Sequence, residues 1–249
     1  MKPRYALDKI KFATDAPTFE RGIGLYESGK VKDFQENIHG YSAIVLGSKP
    51  YNVSISNRYY DQGNCDCYLG ENDILCKHMV AVALQAVLGG KKISSEDKKQ
   101  PSEASCSGKI GKLSKTEISS VKKLITDAMR YIKPYNGPSR VWFQYQDSLS
   151  EGCARLSAIV SSLPVSKDTA KILVGMLLRL DKKICGGVDD SDGTVGGFIE
   201  ETTVVLRKYA ELDPKCIEAF EKLRGEETCF GWEDPLLNIS TRNRSSNTN

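Results

Sequence analysis

The sequence is short of histidine, of tryptophan and of long apolar runs. Only two histidines and two tryptophans occur in 249 residues. No apolar run approaches the roughly 20 residues that cross a bilayer. The longest, around 79–88 and 172–180, have the length of buried helices. The opening residues, MKPRYALDKIKF, lack the apolar core of a secretory signal. A GxxxxGKS/T phosphate loop and a paired acidic motif are missing too, which argues against nucleotide hydrolysis and transposase-type chemistry. These absences predict a protein of the cytoplasm, or of the nucleus if the source is eukaryotic. It should keep its thiols reduced, meet no membrane, act on no identified small-molecule substrate and carry no enzymatic site.

A strong charge of one sign is also missing. The net charge is +3. Residues 1–90 hold ten basic and ten acidic side chains, and residues 116–239 hold sixteen basic and nineteen acidic ones. The positive excess sits in residues 89–115, with seven lysines against three acids, and in two arginines of the tail. By composition, the C-terminal region is therefore a poor candidate for a nucleic-acid face.

What the chain does have is a local concentration of soft ligands. The stretch CDCYLGENDILCKH, residues 65–78, holds three of the eight cysteines and one of the two histidines. Its spacing is Cys65-x-Cys67, eight residues, then Cys76-x-His78. On an extended strand, residues two apart point to the same side, so Cys65 and Cys67 can grip one ion. Two residues apart on a helix do not face each other, so Cys76 should precede a helix whose first turn carries His78. Gly70, Asn72 and Asp73 between the pairs can turn the chain back on itself. Three cysteines and a histidine are a full set for a structural Zn²⁺, with no position left for water. A cysteine–histidine nucleophile pair is the competing arrangement. It would need an orienting group and an oxyanion site, and no motif supplies either. His39, before a strand, reads as a surface or packing residue. Cys106, Cys153, Cys185, Cys216 and Cys229 do not cluster with histidine and read as free, partly buried thiols.

Hydrophobic periodicity predicts an α+β fold. Residues 1–39 form a helical lead-in, with a helix over 16–28 that buries Phe19, Ile23 and Tyr26. Residues 40–90 follow as a ββα finger: strands over 41–48 and 51–58 around Lys49-Pro50, then the cysteines, then an apolar helix ended by Gly89-Gly90. That helix is apolar on nearly every side and requires cover from the hairpin, the first helix or a partner. Residues 91–115, rich in lysine and serine, read as a flexible linker. Residues 116–238 read as an all-α domain that opens on the capping box Ser114–Glu117. Its second helical region, 139–163, is expected to break near Gly152, and Phe230 and Trp232 are expected to seal one end. Residues 239–249 read as a disordered tail. The acidic loop 189–193 resembles a calcium loop, but its alignment puts Val188 and Ile199 at ligand positions, so a solvated loop is preferred.

CxC–x8–CxH, with the hairpin Tyr51-Asn-Val-Ser-Ile-Ser upstream and MVAVAL downstream, resembles the SWIM zinc finger over about residues 40–90. The resemblance implies a ββα zinc module that binds DNA or protein, with Cys65, Cys67, Cys76 and His78 as ligands. Larger members carry an ATPase or transposase region, which this sequence lacks. Arg58, Tyr59, Tyr60, Tyr68 and Lys77 surround the ligands in sequence and are the candidate nucleic-acid contacts. The cations would meet phosphates and the tyrosines would stack on DNA or RNA bases. The alternative is a protein-interaction adaptor, in which the finger and the helices are docking surfaces.

Overall fold

The structure is a computed structural model. It describes residues 2–99, 103–138 and 142–246, with side chains except at 143, 144 and 242–246. The chain divides into two compact units near residue 100, each with its own apolar core.

The first unit opens with α1 (Leu7–Phe12) and α2 (Ala16–Glu27). Asp15 caps α2 by accepting from the Thr18 amide, and Pro17 occupies the first turn, where its missing N–H costs nothing. Gly29, at φ +64°, carries the chain out of the helix. Four strands follow: β1 (Val31–Glu36), β2 (Gly40–Leu46), β3 (Pro50–Ser56) and β4 (Asn64–Cys65). They form an antiparallel sheet in the order β1-β2-β3-β4. The expected hairpin is its centre, with Tyr41 opposite Ile55 and Ala43 opposite Val53. Of the outer strands, the extended CxC segment was expected and β1 was not. β1 is largely exposed and bulged between Lys32 and Gln35, so it shows no clean alternation. β4 is two residues long.

Tyr41, Ala43, Val45, Val53 and Ile55 present one apolar face. The apolar helix α3 (Lys77–Leu88) lies on it. Residues Met79–Leu84 are entirely buried because the sheet covers one side and α2 the other. Gly22 makes the second contact possible: a Cβ there would fall 2.5 Å from Val80 Cγ1. Burying each such aliphatic side chain is worth about 1.5–3 kcal/mol, so α3 is the main source of stability in a small unit. Gly89, at φ +58°, ends it as expected. A single-turn helix, α4 (Ser95–Lys98), closes the unit.

The second unit is helical: α5 (Lys115–Ala128), α6 (Trp142–Ser162), α7 (Lys167–Cys185), α8 (Thr194–Leu212), a run of 3₁₀ turns over Pro214–Leu223, and α9 (Asp234–Ser246). The Ser114–Glu117 capping box is formed. α6 does not break at Gly152. That glycine instead admits Ile132, whose Cγ1 would lie 2.7 Å from a Cβ. The acidic loop serves α8: Asp190 accepts from the Val195 and Gly196 amides, and Asp192 from Thr194.

Several other expectations are corrected. The segment read as a flexible linker is engaged with structure on both sides of residues 100–102, which lie outside the described residues. On the first unit, Ile93 is buried, the Tyr26 hydroxyl donates to the Lys91 carbonyl, and Lys98 of α4 pairs with Glu27. On the second unit, Ser107 donates to the Leu163 carbonyl and Ile110 bridges Val165. A few backbone and hydroxyl anchors hold what composition alone reads as loose. The tail is helical to Ser246, because Asp234-Pro235 starts a helix that buries Leu236 and Ser240; residues 247–249 lie outside the described residues. Trp232 is buried, but Phe230 is 82% exposed. Cys185 and Cys229 are joined as a disulfide rather than free, while Cys106, Cys153 and Cys216 are free thiols. Asp181 organises that junction by accepting from the Cys229 amide at 2.8 Å and from Trp232 Nε1 at 3.0 Å.

Candidate metal centre

Two elements deliver the four ligands as pairs. Cys65 ends β4, held by pairing with Val53, and Cys67 follows it. Asp66, between them, turns away and accepts from the Asn52 amide and side chain at 3.0 and 2.9 Å, which pins the CxC segment to β3. Those hydrogen bonds hold its carboxyl below the usual range. Cys76 caps α3 and His78 sits in the first helical turn. The connecting loop makes a 3₁₀ turn at Gly70–Asn72 and reverses at Asp73, φ +56°. Gly70 is needed there, because a Cβ would lie 2.2 Å from the Cys65 carbonyl oxygen. Its amide also donates to Cys67 Sγ at 3.4 Å.

All four ligand side chains are buried, and their donor atoms lie within 4.8 Å of one another. His78 Nδ1 is 3.6 Å from Cys65 Sγ and 3.9 Å from Cys76 Sγ. With Zn–S bonds of about 2.3 Å and Zn–N bonds of about 2.0 Å, the S···N edge of a tetrahedron is about 3.5 Å. The two S···N separations fit a zinc site with Nδ1 as the imidazole donor. Nε2 is buried without a hydrogen-bond partner, and the ring is fixed instead by Tyr51, stacked at 4.3 Å between centroids. Cys65 keeps its proton in a hydrogen bond to Cys76 and is pushed up, while that bond, then His78 and the Met79 amide, hold Cys76 down to about 4. A cation replacing that proton is the natural occupant.

Zn²⁺ with three thiolates and a neutral imidazole carries a net charge of −1. The amino terminus of α3 is a favourable place for it. Four protein donors close the coordination sphere, so the ion would hold structure rather than activate water.

The predicted contacts around the centre do not stay together. Arg58 and Tyr59 are exposed, the guanidinium 5.2 Å from the Tyr59 ring centroid. Tyr68, beside Cys67, is 81% exposed. Lys77 is half-buried. Tyr60 must be removed from the set. It is 2% exposed, hydrogen-bonds Thr14 at 2.8 Å and packs on Tyr5, so it presents no ring to a base. His39 is exposed, as expected. Sequence reasoning missed the support given by Tyr51 and Asn52; Gly70 was expected as a turn residue, and its close approach to Cys65 is what the structure adds.

This arrangement defines a class: a structural zinc finger carried on an antiparallel sheet and the helix that packs against it. Residues 57–86 match the family model of the SWIM zinc finger, which contains all four ligands and most of α3. That segment is similar to a SWIM zinc finger, and the Cys3His cluster fits a zinc ion. No significant match is found among curated proteins or solved structures. Among the described residues no helix is long and apolar enough to cross a membrane.

Proposed function

We propose that the protein is a non-catalytic zinc-binding module whose finger associates with nucleic acid. The supporting observation is the trio of exposed side chains flanking the metal ligands in sequence: Arg58, Tyr59 and Tyr68. A tyrosine 81% exposed beside a metal ligand is not used by the fold. It offers a stacking surface, and Arg58 supplies a cation for phosphate. Replacing Arg58 and Tyr68 by alanine should leave zinc bound and weaken binding to labelled single-stranded DNA or RNA. Unchanged affinity would remove the finger from the interface.

A protein-docking role is the second reading, favoured by the open face of the sheet. Asp33, Asp66, Glu71 and Asp73 line a groove there, together with Asn52 and Asn64, and no cation is among the described lining residues. That face repels phosphate and suits a basic protein segment. Capture of a defined partner by the wild type, lost in Asp33→Asn/Glu71→Gln, with no salt-dependent binding to nucleic acid, is the result that favours it.

A further inference from the structure

Residues 116–239 carry an acidic surplus, yet the cations of this part of the chain are not spread evenly. α7 turns Lys171, Gly175, Arg179 and Lys182 to one side, at intervals of four, four and three residues. α5 adds Lys122 on one flank, and the 3₁₀ run after α8 adds Lys222 on the other. Between them lies a groove of about 520 Å³. Its described lining holds five cations and a single carboxylate, Glu226. All five cations are exposed, and among the described residues none is in an ion pair. Lys171 does lie in the field of Glu218, whose carboxyl is lowered first by its hydrogen bond to Lys167.

The groove is built rather than accidental in two respects. Thr126 accepts from the Arg179 guanidinium at 3.3 Å and holds it at the wall. Gly175 keeps the floor low, and a Cβ there would lie 3.8 Å from Lys222 Nζ, so Lys222 reaches over α7.

We propose that this groove binds the sugar–phosphate backbone of a nucleic-acid strand. The cations extend over the twelve residues Lys171 to Lys182 of α7, about 16 Å at the helical rise, which matches several successive phosphates rather than one. Four of the five are lysines, point charges suited to a repeating anion; a single phosphorylated side chain is better served by paired arginine forks. The proposal rests on the nucleic-acid reading above and deepens it by adding a binding surface outside the finger, and variants separate the two.

The test uses the full-length zinc-loaded protein and a fluorescein-labelled oligo(dT) strand, with anisotropy followed across a potassium chloride series. Lys122→Gln/Lys171→Gln/Arg179→Gln/Lys182→Gln should weaken binding roughly tenfold or more at low salt. It should also flatten the log–log salt slope by about 0.7 for each phosphate that the variant leaves unneutralised. Arg207→Gln/Lys208→Gln, on exposed positions of α8, should change neither. If the quadruple variant fails to fold, Lys122→Gln/Lys222→Gln carries the same expectation at smaller size. An unchanged slope in the groove variants overturns the proposal. So does an equal loss of affinity in the α8 control, or binding of a phosphorylated peptide with none of oligo(dT). Weakened binding in the groove variants with Arg58→Ala/Tyr68→Ala unaffected keeps the groove and removes the finger; the reverse pattern removes the groove alone.

Discussion

The Tyr51 ring lies on His78, with centroids 4.3 Å apart and planes inclined by 23°. The same tyrosine anchors its hydroxyl on Ser48 at 2.8 Å, and a Cβ on Gly47 would crowd both rings. Imidazole ligands are ordinarily oriented by a hydrogen bond to the second nitrogen, and here aromatic packing takes that place. Tyr51→Ala should therefore lower zinc affinity roughly tenfold, while Tyr51→Phe keeps it near wild type. Competition with a chromophoric chelator measures both, and equal affinity in the alanine variant would show that the stack does not position the ligand.

Cys67→Ser and His78→Ala should release zinc and unfold the first unit while the helical unit persists. Each unit has its own apolar core, so unfolding of one need not carry the other. Metal analysis with far-UV circular dichroism checks this. The expected result is absent zinc, a partial loss of signal and a surviving thermal transition. Zinc retained in either variant would contradict the ligand set.

Zinc should leave as pH falls. Thiolate ligands, Cys65 first, take up protons when the metal departs, so apparent affinity rises with pH and protons are released on loading. A weakly buffered titration with a pH indicator reads the proton count, and a pH-independent affinity would mean that the sulfurs are not the donors.

Gly22→Ala should destabilise the first unit by about 1–3 kcal/mol, because a methyl group cannot share space with Val80 without moving α2 from α3. Gly24→Ala, on the same helix with nothing within 4 Å of its Cβ, is the control. Urea midpoints of the two variants should diverge. A similar midpoint in both would show that the helices slide apart freely.

Reducing the Cys185–Cys229 disulfide should lower the stability of the helical unit by about 2–4 kcal/mol, given a closed segment of 44 residues. Thermal unfolding with and without dithiothreitol measures this, and Cys229→Ser should mimic the reduced form.

The metal ligands were legible because coordination chemistry acts at short sequence range: CxC and CxH each bring two donors together within three residues. The cap at Ser114 and the stop at Gly89 were legible for the same reason. What escaped depends on distant neighbours. Tyr60 and Tyr68 look alike in sequence, and only the position of Thr14 and Tyr5 buries one of them. Gly152 reads as a helix breaker until Ile132 is seen to need its space. The cations on α7 are diluted by acids elsewhere in the chain, and no average over composition can show that the fold gathers them with Lys122 and Lys222.

Half of the zinc donors sit at the start of a helix whose segment Met79–Leu84 is entirely buried. Capture of the ion and closure of the core are therefore one event, and metal exchange has to wait for that helix to lift. The finger should behave as a slow ledger of past zinc supply, blind to brief changes in the free pool.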